Sequence, residues 1–107
     1  MLSAMLRKAE NELVCVAQFV AKAGKEDELL KELHGLMKPT HQEEGYIRYE
    51  LNQGTEDPRQ VAFIEKFTSR EAFDFHCSTP YVKGFFEKVA PRLVESQTVT
   101  LYKEILA

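Results

Sequence analysis

Tryptophan is absent from the 107-residue chain, and cysteine, proline and glycine are scarce, at two, four and five. Two cysteines, Cys15 and Cys77, make no disulfide framework and have no metal-ligand spacing. They are expected to be small, buried, reduced thiols, which places the chain in the cytoplasm. No stretch approaches the ~20 apolar residues a bilayer crossing needs, so no membrane partner is expected. An excess of basic charge is missing as well. The 14 Lys and Arg are scattered among 17 Asp and Glu, for a net charge of −3. A phosphate backbone would find no cationic cluster to bind, which argues against nucleic acid as a partner. The three histidines, His34, His41 and His76, lie too far apart in sequence to read as a metal site.

What is present is one domain's worth of alternating structure. Met1 to Asn11 has basic residues but neither an apolar run nor a small-residue cleavage pattern. It reads as a short N-terminal extension, not a secretory signal, and Met5 offers a second possible start. Residues 12–107 read as the domain. Glu12–Ala21 is β-branched and apolar, a strand bounded by Ala23-Gly24-Lys25. From Glu26 to about Glu43, Leu29, Leu30, Leu33, Leu36 and Met37 recur at helical spacing, with a break expected at Pro39. Tyr46–Gln53 and Gln60–Phe67 are strands of a hairpin around the turn-rich Gly54–Arg59. Thr68-Ser69-Arg70-Glu71 has the form of a capping box opening a short helix that ends near Cys77. Thr79-Pro80 starts another, striped by Tyr81, Val82, Phe85, Phe86 and Val89 and broken or bent at Pro91. Gln97–Ile105 is the last strand.

The order β-α-β-β-α(α)-β is the split βαβ pattern of a ferredoxin-like α+β domain with an antiparallel sheet, first and third strands in the middle. Helices cover one face of such a sheet, and the other should alternate with polar residues if it meets water. Here both faces of the central strands are apolar. Leu13, Cys15, Ala17 and Phe19 oppose Val14, Val16 and Val20, while Val61, Phe63 and Phe67 oppose Ala62 and Ile64. A homodimer through the sheet faces is the simplest way to cover the second face.

Glu44-Gly45-Tyr46-Ile47-Arg48-Tyr49-Glu50-Leu51, Phe63-Ile64-Glu65-Lys66-Phe67 and Ala72-Phe73-Asp74-Phe75-His76-Cys77-Ser78-Thr79-Pro80-Tyr81 together resemble the antibiotic biosynthesis monooxygenase family. Ala23-Gly24-Lys25-Glu26 and Pro39-Thr40 fit as well, so the likeness runs over residues 12–105. The resemblance implies a dimeric α+β barrel and, in active members, oxygenation of an electron-rich phenol or quinol by O₂ without metal, flavin or haem. The family also holds haem-degrading enzymes and an isomerase. Gln18, Phe67 and Phe86 stand where the haem-degrading branch carries Asn, Trp and a ligating His, which disfavours that chemistry. The chain also departs from the family at Phe67, where tryptophan is common, and at Tyr81, where a second histidine is common.

Candidate residues follow from side-chain chemistry. Glu65 shares a strand face with Val61, Phe63 and Phe67. There it is either a desolvated acid–base group or half of a structural ion pair. His76 lies one turn beyond Ala72 and Phe73 and is the candidate general base, the alternative being a buried structural histidine. Tyr49 could offer its hydroxyl to a polar substrate group. Phe63, Phe67, Phe85 and Phe86 could line a pocket for a flat aromatic, or simply form core. His34 and His41 fall at the solvent edge of the first helix. Besides oxygenation, two readings stay open: a non-oxidative isomerase using Arg48 and Arg92, and a binding module without turnover.

Overall fold

The computed structural model describes residues 11–105. The expected N-terminal extension, Asn11 apart, lies outside them. Strand β1 (Leu13–Ala21) is followed by helices α1 (Glu26–His34) and α2 (Met37–His41). Strands β2 (Tyr46–Gln53) and β3 (Gln60–Phe67) come next, then helices α3 (Arg70–Ser78) and α4 (Pro80–Gly84). A π-helical turn (Phe85–Val89), helix α5 (Ala90–Leu93) and strand β4 (Val94–Tyr102) complete the domain. The four strands form one antiparallel sheet in the order β2-β3-β1-β4. This is the ferredoxin-like α+β fold, with β1 and β3 central as the apolar pattern requires.

Several boundaries move for identifiable reasons. The first helix breaks at Gly35, four residues before the expected Pro39. A proline ring collides with the carbonyl four residues earlier, which is Gly35 itself, so the chain reopens there and Pro39 sits in the first turn of α2. Ser69, not Thr68, caps α3, its Oγ accepting from the Ala72 N–H at 3.0 Å. Thr68 instead donates its backbone N–H to the Gly45 carbonyl at 2.9 Å. Thr79 and Pro80 open α4 as expected. The helical run then widens into the π turn just ahead of Pro91, whose missing N–H cannot continue regular α pairing. Strand β4 starts and ends three residues earlier than its sequence suggests, because Val94 already pairs with Ala21.

The β2 alternation is broken by a bulge between Tyr46 and Arg48. Ile47, which simple alternation would put on one face with Tyr49 and Leu51, is therefore 41% exposed, while Tyr46 takes the position opposite Phe67. Gly45 is needed for close approach, since a Cβ there would collide with Ala72 and crowd Thr68. That approach presses the Glu43–Tyr46 connection against α3.

The helix-facing side of the sheet is core: Cys15, Ala17, Phe19, Ala21, Val61, Phe63 and Phe67 are buried, against Leu29, Leu33, Phe73, Phe85 and Leu93. On the other side Val14, Val16, Val20, Ala62 and Ile64 are half-buried within the single chain, and Gln18 is exposed. Among the described residues, no helix is long and apolar enough to cross a membrane.

Candidate active site

The alternation that buries Val61, Phe63 and Phe67 on β3 puts Glu65 among them, and its register places Cys15 of β1 on one side and Tyr49 of β2 on the other. Neither of these two flanking side chains brings a positive charge to the carboxyl. Burial, reinforced by the nearby Glu43, pushes it up from 4.5 to about 8. At neutral pH it is chiefly the neutral acid, an O–H donor. Among the described residues, no hydrogen bond reaches its Oε1.

Helix α3 delivers His76 from above. Phe73 and His76, one turn apart, are its buried residues, and the imidazole packs 4.9 Å from the Phe67 ring and 5.3 Å from the Tyr49 ring. Its Nδ1–H donates to Glu43 Oε2 at 2.9 Å, and Tyr81 donates its hydroxyl to the same oxygen. With Nδ1 engaged as donor, a neutral imidazole offers Nε2 as its acceptor. It faces Glu65 Oε1 at 3.8 Å, too far for a direct hydrogen bond. The two atoms leave a gap beside which one hydroxyl oxygen could lie within hydrogen-bond distance of both.

That gap adjoins a cavity of about 280 Å³ beside β4, to which Glu65, His76, Phe73, Val82, Phe86 and Val99 contribute. Apolar contacts dominate its wall, as suits a flat aromatic. Cys15 and Cys77 also touch it. Cys77 corrects the expectation of two buried thiols: it is exposed, while Cys15 is buried, and both are free. Although the residue is exposed, partial burial of its sulfur and then the Glu65 carboxyl push the Cys77 thiol up to about 11, leaving it a poor nucleophile at neutral pH. Lys83 and Glu87 touch the same cavity.

The sequence-derived candidates separate into three roles. His76 and Glu65 meet at the cavity. Tyr49 stacks on Phe63 at 4.3 Å and buttresses the imidazole edge-on; burial and Glu65 push its hydroxyl up, so it stays protonated. Of the four phenylalanines named for the pocket, Phe86 lines it. Phe63 and Phe67 are core behind the cluster, and Phe85 packs edge-on against Phe19 at 5.5 Å. His34 and His41 are exposed, although His41 stacks on Tyr46 at 4.9 Å.

Glu43 was not singled out from the sequence, yet it is the group that orients His76. A signal for it existed. Leu29, Leu33, Leu36, Thr40 and Glu43 follow one helical stripe, and a carboxylate on a buried stripe asks for a partner. The hydroxyl of Tyr81 supplies a second one, and burial together with that hydrogen bond pushes it up to about 12. Among the described residues no His, Cys, Asp and Glu group has the arrangement to hold a metal ion. The two His76 nitrogens address different carboxyls and cannot converge on a single ion.

A ferredoxin-like α+β domain with a buried acid and histidine over an apolar cavity is the class these features define. The profile of the antibiotic biosynthesis monooxygenase family matches residues 13–88, and the chain belongs to that family. It is 43% identical to protein SO0527 from Shewanella oneidensis, with a TM-score of 0.89, over 91% of this chain and 94% of that one. PA3566 from Pseudomonas aeruginosa is similar at 25% identity and a TM-score of 0.83, over 91% and 96% of the two chains. A curated relative from Bacillus subtilis, named "Putative monooxygenase YcnE", is 29% identical over 71% of this chain and 80% of its own length.

Proposed function

We propose that the protein oxygenates a small electron-rich phenol or quinol with O₂, using its own side chains to make the reactive anion. The observation that carries this reading is the 3.8 Å gap between His76 Nε2 and Glu65 Oε1 at the end of an apolar cavity. A phenol in the cavity would donate its hydroxyl to Nε2 while the neutral Glu65 donates to the phenol oxygen. As the proton moves to Nε2, negative charge grows on an oxygen already held by a hydrogen-bond donor in a dry site, where such a donor is most effective. The phenolate is electron-rich enough to react with O₂. The aromatic C–H and the phenolic O–H lose their hydrogens, one atom of O₂ becomes the new quinone carbonyl, and the other leaves as water. Family membership and the name of the Bacillus subtilis relative support the reaction class.

Against an isomerase of an anionic metabolite stand Arg48 and Arg92, which are exposed and paired with Glu50 at 2.8 Å and Glu28 at 3.3 Å, neither touching the cavity. The same proposal has two copies meeting through the outer sheet faces, covering the half-buried Val14, Val16, Val20 and Ile64. Free thiols suit a cytoplasmic location.

The test is O₂ uptake by metal-stripped protein across a panel of hydroquinones and polycyclic phenols. Uptake proportional to protein and above the spontaneous rate is expected. A panel that raises the melting temperature without any uptake would mean binding without oxygenation.

A further inference from the structure

The cavity at His76 and Glu65 meets a single ring at the end away from those two residues. The strand register gives the direction. Glu65 pairs with Cys15, which pairs with Leu101 on its other side. Two residues further along β1, Ala17 pairs with Val99, and two further still, Phe19 pairs with Gln97. Cys15, Ala17 and Val99 line the cavity, whereas Gln97 lines a separate recess of about 240 Å³ that Ala90 and Val94 also touch. A two-residue step along a strand is about 6.7 Å, so the recess continues the line of the cavity away from His76 and Glu65. The helical wall runs the same way. Val82, Phe86 and Ala90 are four residues apart and share one side of their segment. Val82 lines the cavity, Ala90 lines the recess, and Phe86 alone among the described residues borders both. The Phe86 ring is braced from the recess side. It lies 6.1 Å from the ring of Phe19 and edge-on to Phe85 at 5.2 Å, and those two pack edge-on with each other at 5.5 Å.

We propose that Phe86 is an end stop that limits the length of the substrate, so that the cavity takes a phenol of one or two fused rings and turns away a longer one. The proposal rests on the oxygenation reading for one point, that the substrate's hydroxyl lies at His76 and Glu65. From there a flat molecule extends over Cys15 and Ala17 toward Phe86. The cavity, at about 280 Å³, falls below the range of roughly 300–1,000 Å³ typical of sites for drug-sized ligands. Joined to the recess it would come within that range. An unobstructed apolar slot would favour the longer molecule, because each added ring buries more apolar surface. The stop reverses that order. A longer ring system meets Phe86, which can yield toward the recess only by displacing Phe19 and Phe85, both buried in a close-packed core.

Fluorescence titration of the full-length protein under argon, with 2-naphthol and 2-anthrol, tests the stop by binding alone. The two phenols differ by one ring at the end away from the hydroxyl. Wild-type protein is expected to bind 2-naphthol about tenfold or more tighter than 2-anthrol. Phe86→Ala joins cavity and recess and should bind 2-anthrol at least as tightly as 2-naphthol. Gln97→Trp refills the recess from an exposed strand position, and in the Phe86→Ala background it should restore the wild-type preference to within about threefold. Should Phe86→Ala not fold, Phe86→Leu, shorter but still able to pack on Phe19, is expected to narrow the preference by about threefold or more. Four results would each overturn the stop: 2-anthrol bound by wild-type protein as tightly as 2-naphthol, no measurable binding of 2-naphthol, a preference that substituting Phe86 leaves in place, or one that Gln97→Trp does not restore. If the expected pattern holds but no phenol drives O₂ uptake, the stop stands and the oxygenation reading falls.

Discussion

His76→Ala is expected to lower kcat/KM for phenol oxidation by about 10²–10⁴-fold, the range a positioned general base contributes. Among the described residues at the cavity, the imidazole is the group whose acceptor nitrogen faces the place a hydroxyl would occupy. Glu65, neutral near pH 7, cannot take its place as base. Truncation also leaves Glu43 Oε2 with Tyr81 as its single donor and puts two buried carboxyls across an empty space. A loss of about 1–3 kcal/mol of stability should accompany the change, the ordinary cost of an unsatisfied buried polar group. His76→Gln fills most of the space and can still donate to Glu43, so it should recover stability but not turnover. Oxygen-electrode kinetics beside urea unfolding separates the two effects. If the alanine variant turned over at more than a tenth of the wild-type rate, His76 would not be the base.

Glu65→Gln is expected to stabilise the protein, and to do so more strongly as pH rises. Cys15, Tyr49, His76, Glu43 and Cys77 surround the carboxyl from the sheet, from α3 and from the loop before β2, and neither Lys nor Arg stands among them. In the unfolded chain it titrates near 4.5, and in the fold at about 8. Between these values the folded state holds a proton that the unfolded state has released, so wild-type stability falls as pH rises. The penalty is absent below the lower value, grows by about 1.4 kcal/mol per pH unit, and levels off above the upper one. A neutral amide carries no such penalty. The variant's advantage should be near zero at pH 4.5 and several kcal/mol at pH 8. Unfolding curves of both proteins at four pH values between 4.5 and 8.5 test this directly. An advantage that does not depend on pH would mean that Glu65 is ionised in the folded protein.

Much of the fold was legible because it rests on patterns that tolerate small errors. The alternation of Val61, Phe63, Glu65 and Phe67 fixes the inward face of β3, and the Thr79-Pro80 pair fixes the start of α4. What escaped was set by tertiary contact. The Gly35 break comes from the collision between a proline ring and a carbonyl four residues back, and the Ser69 cap from Thr68 being held by Gly45. The bulge that turns Ile47 outward has no local signature. In the site, Glu65 and His76 were readable because an ionisable group on an apolar face stands out. Glu43 lies on the same stripe as Leu33 and Leu36, but beyond a proline where the helical count was expected to lapse. Phe63, Phe67 and Phe85 show the complementary error: aromatic residues on a buried face are core first, and whether one lines a cavity depends on which neighbours are small. Here Ala17 and Val99 leave the space that Phe86 borders.

The account's central claim is that a phenol loses its proton to His76 in the apolar cavity. Anaerobic titration with a dihydroxynaphthalene at pH 7, reading the phenolate absorption band, tests it before any oxygen chemistry begins. The account predicts one equivalent of bound phenolate in the wild-type protein, formed well below the free phenol's own ionisation range, and none in His76→Ala. A bound phenol that stays neutral in the wild-type protein, or a phenolate that persists without His76, would contradict it.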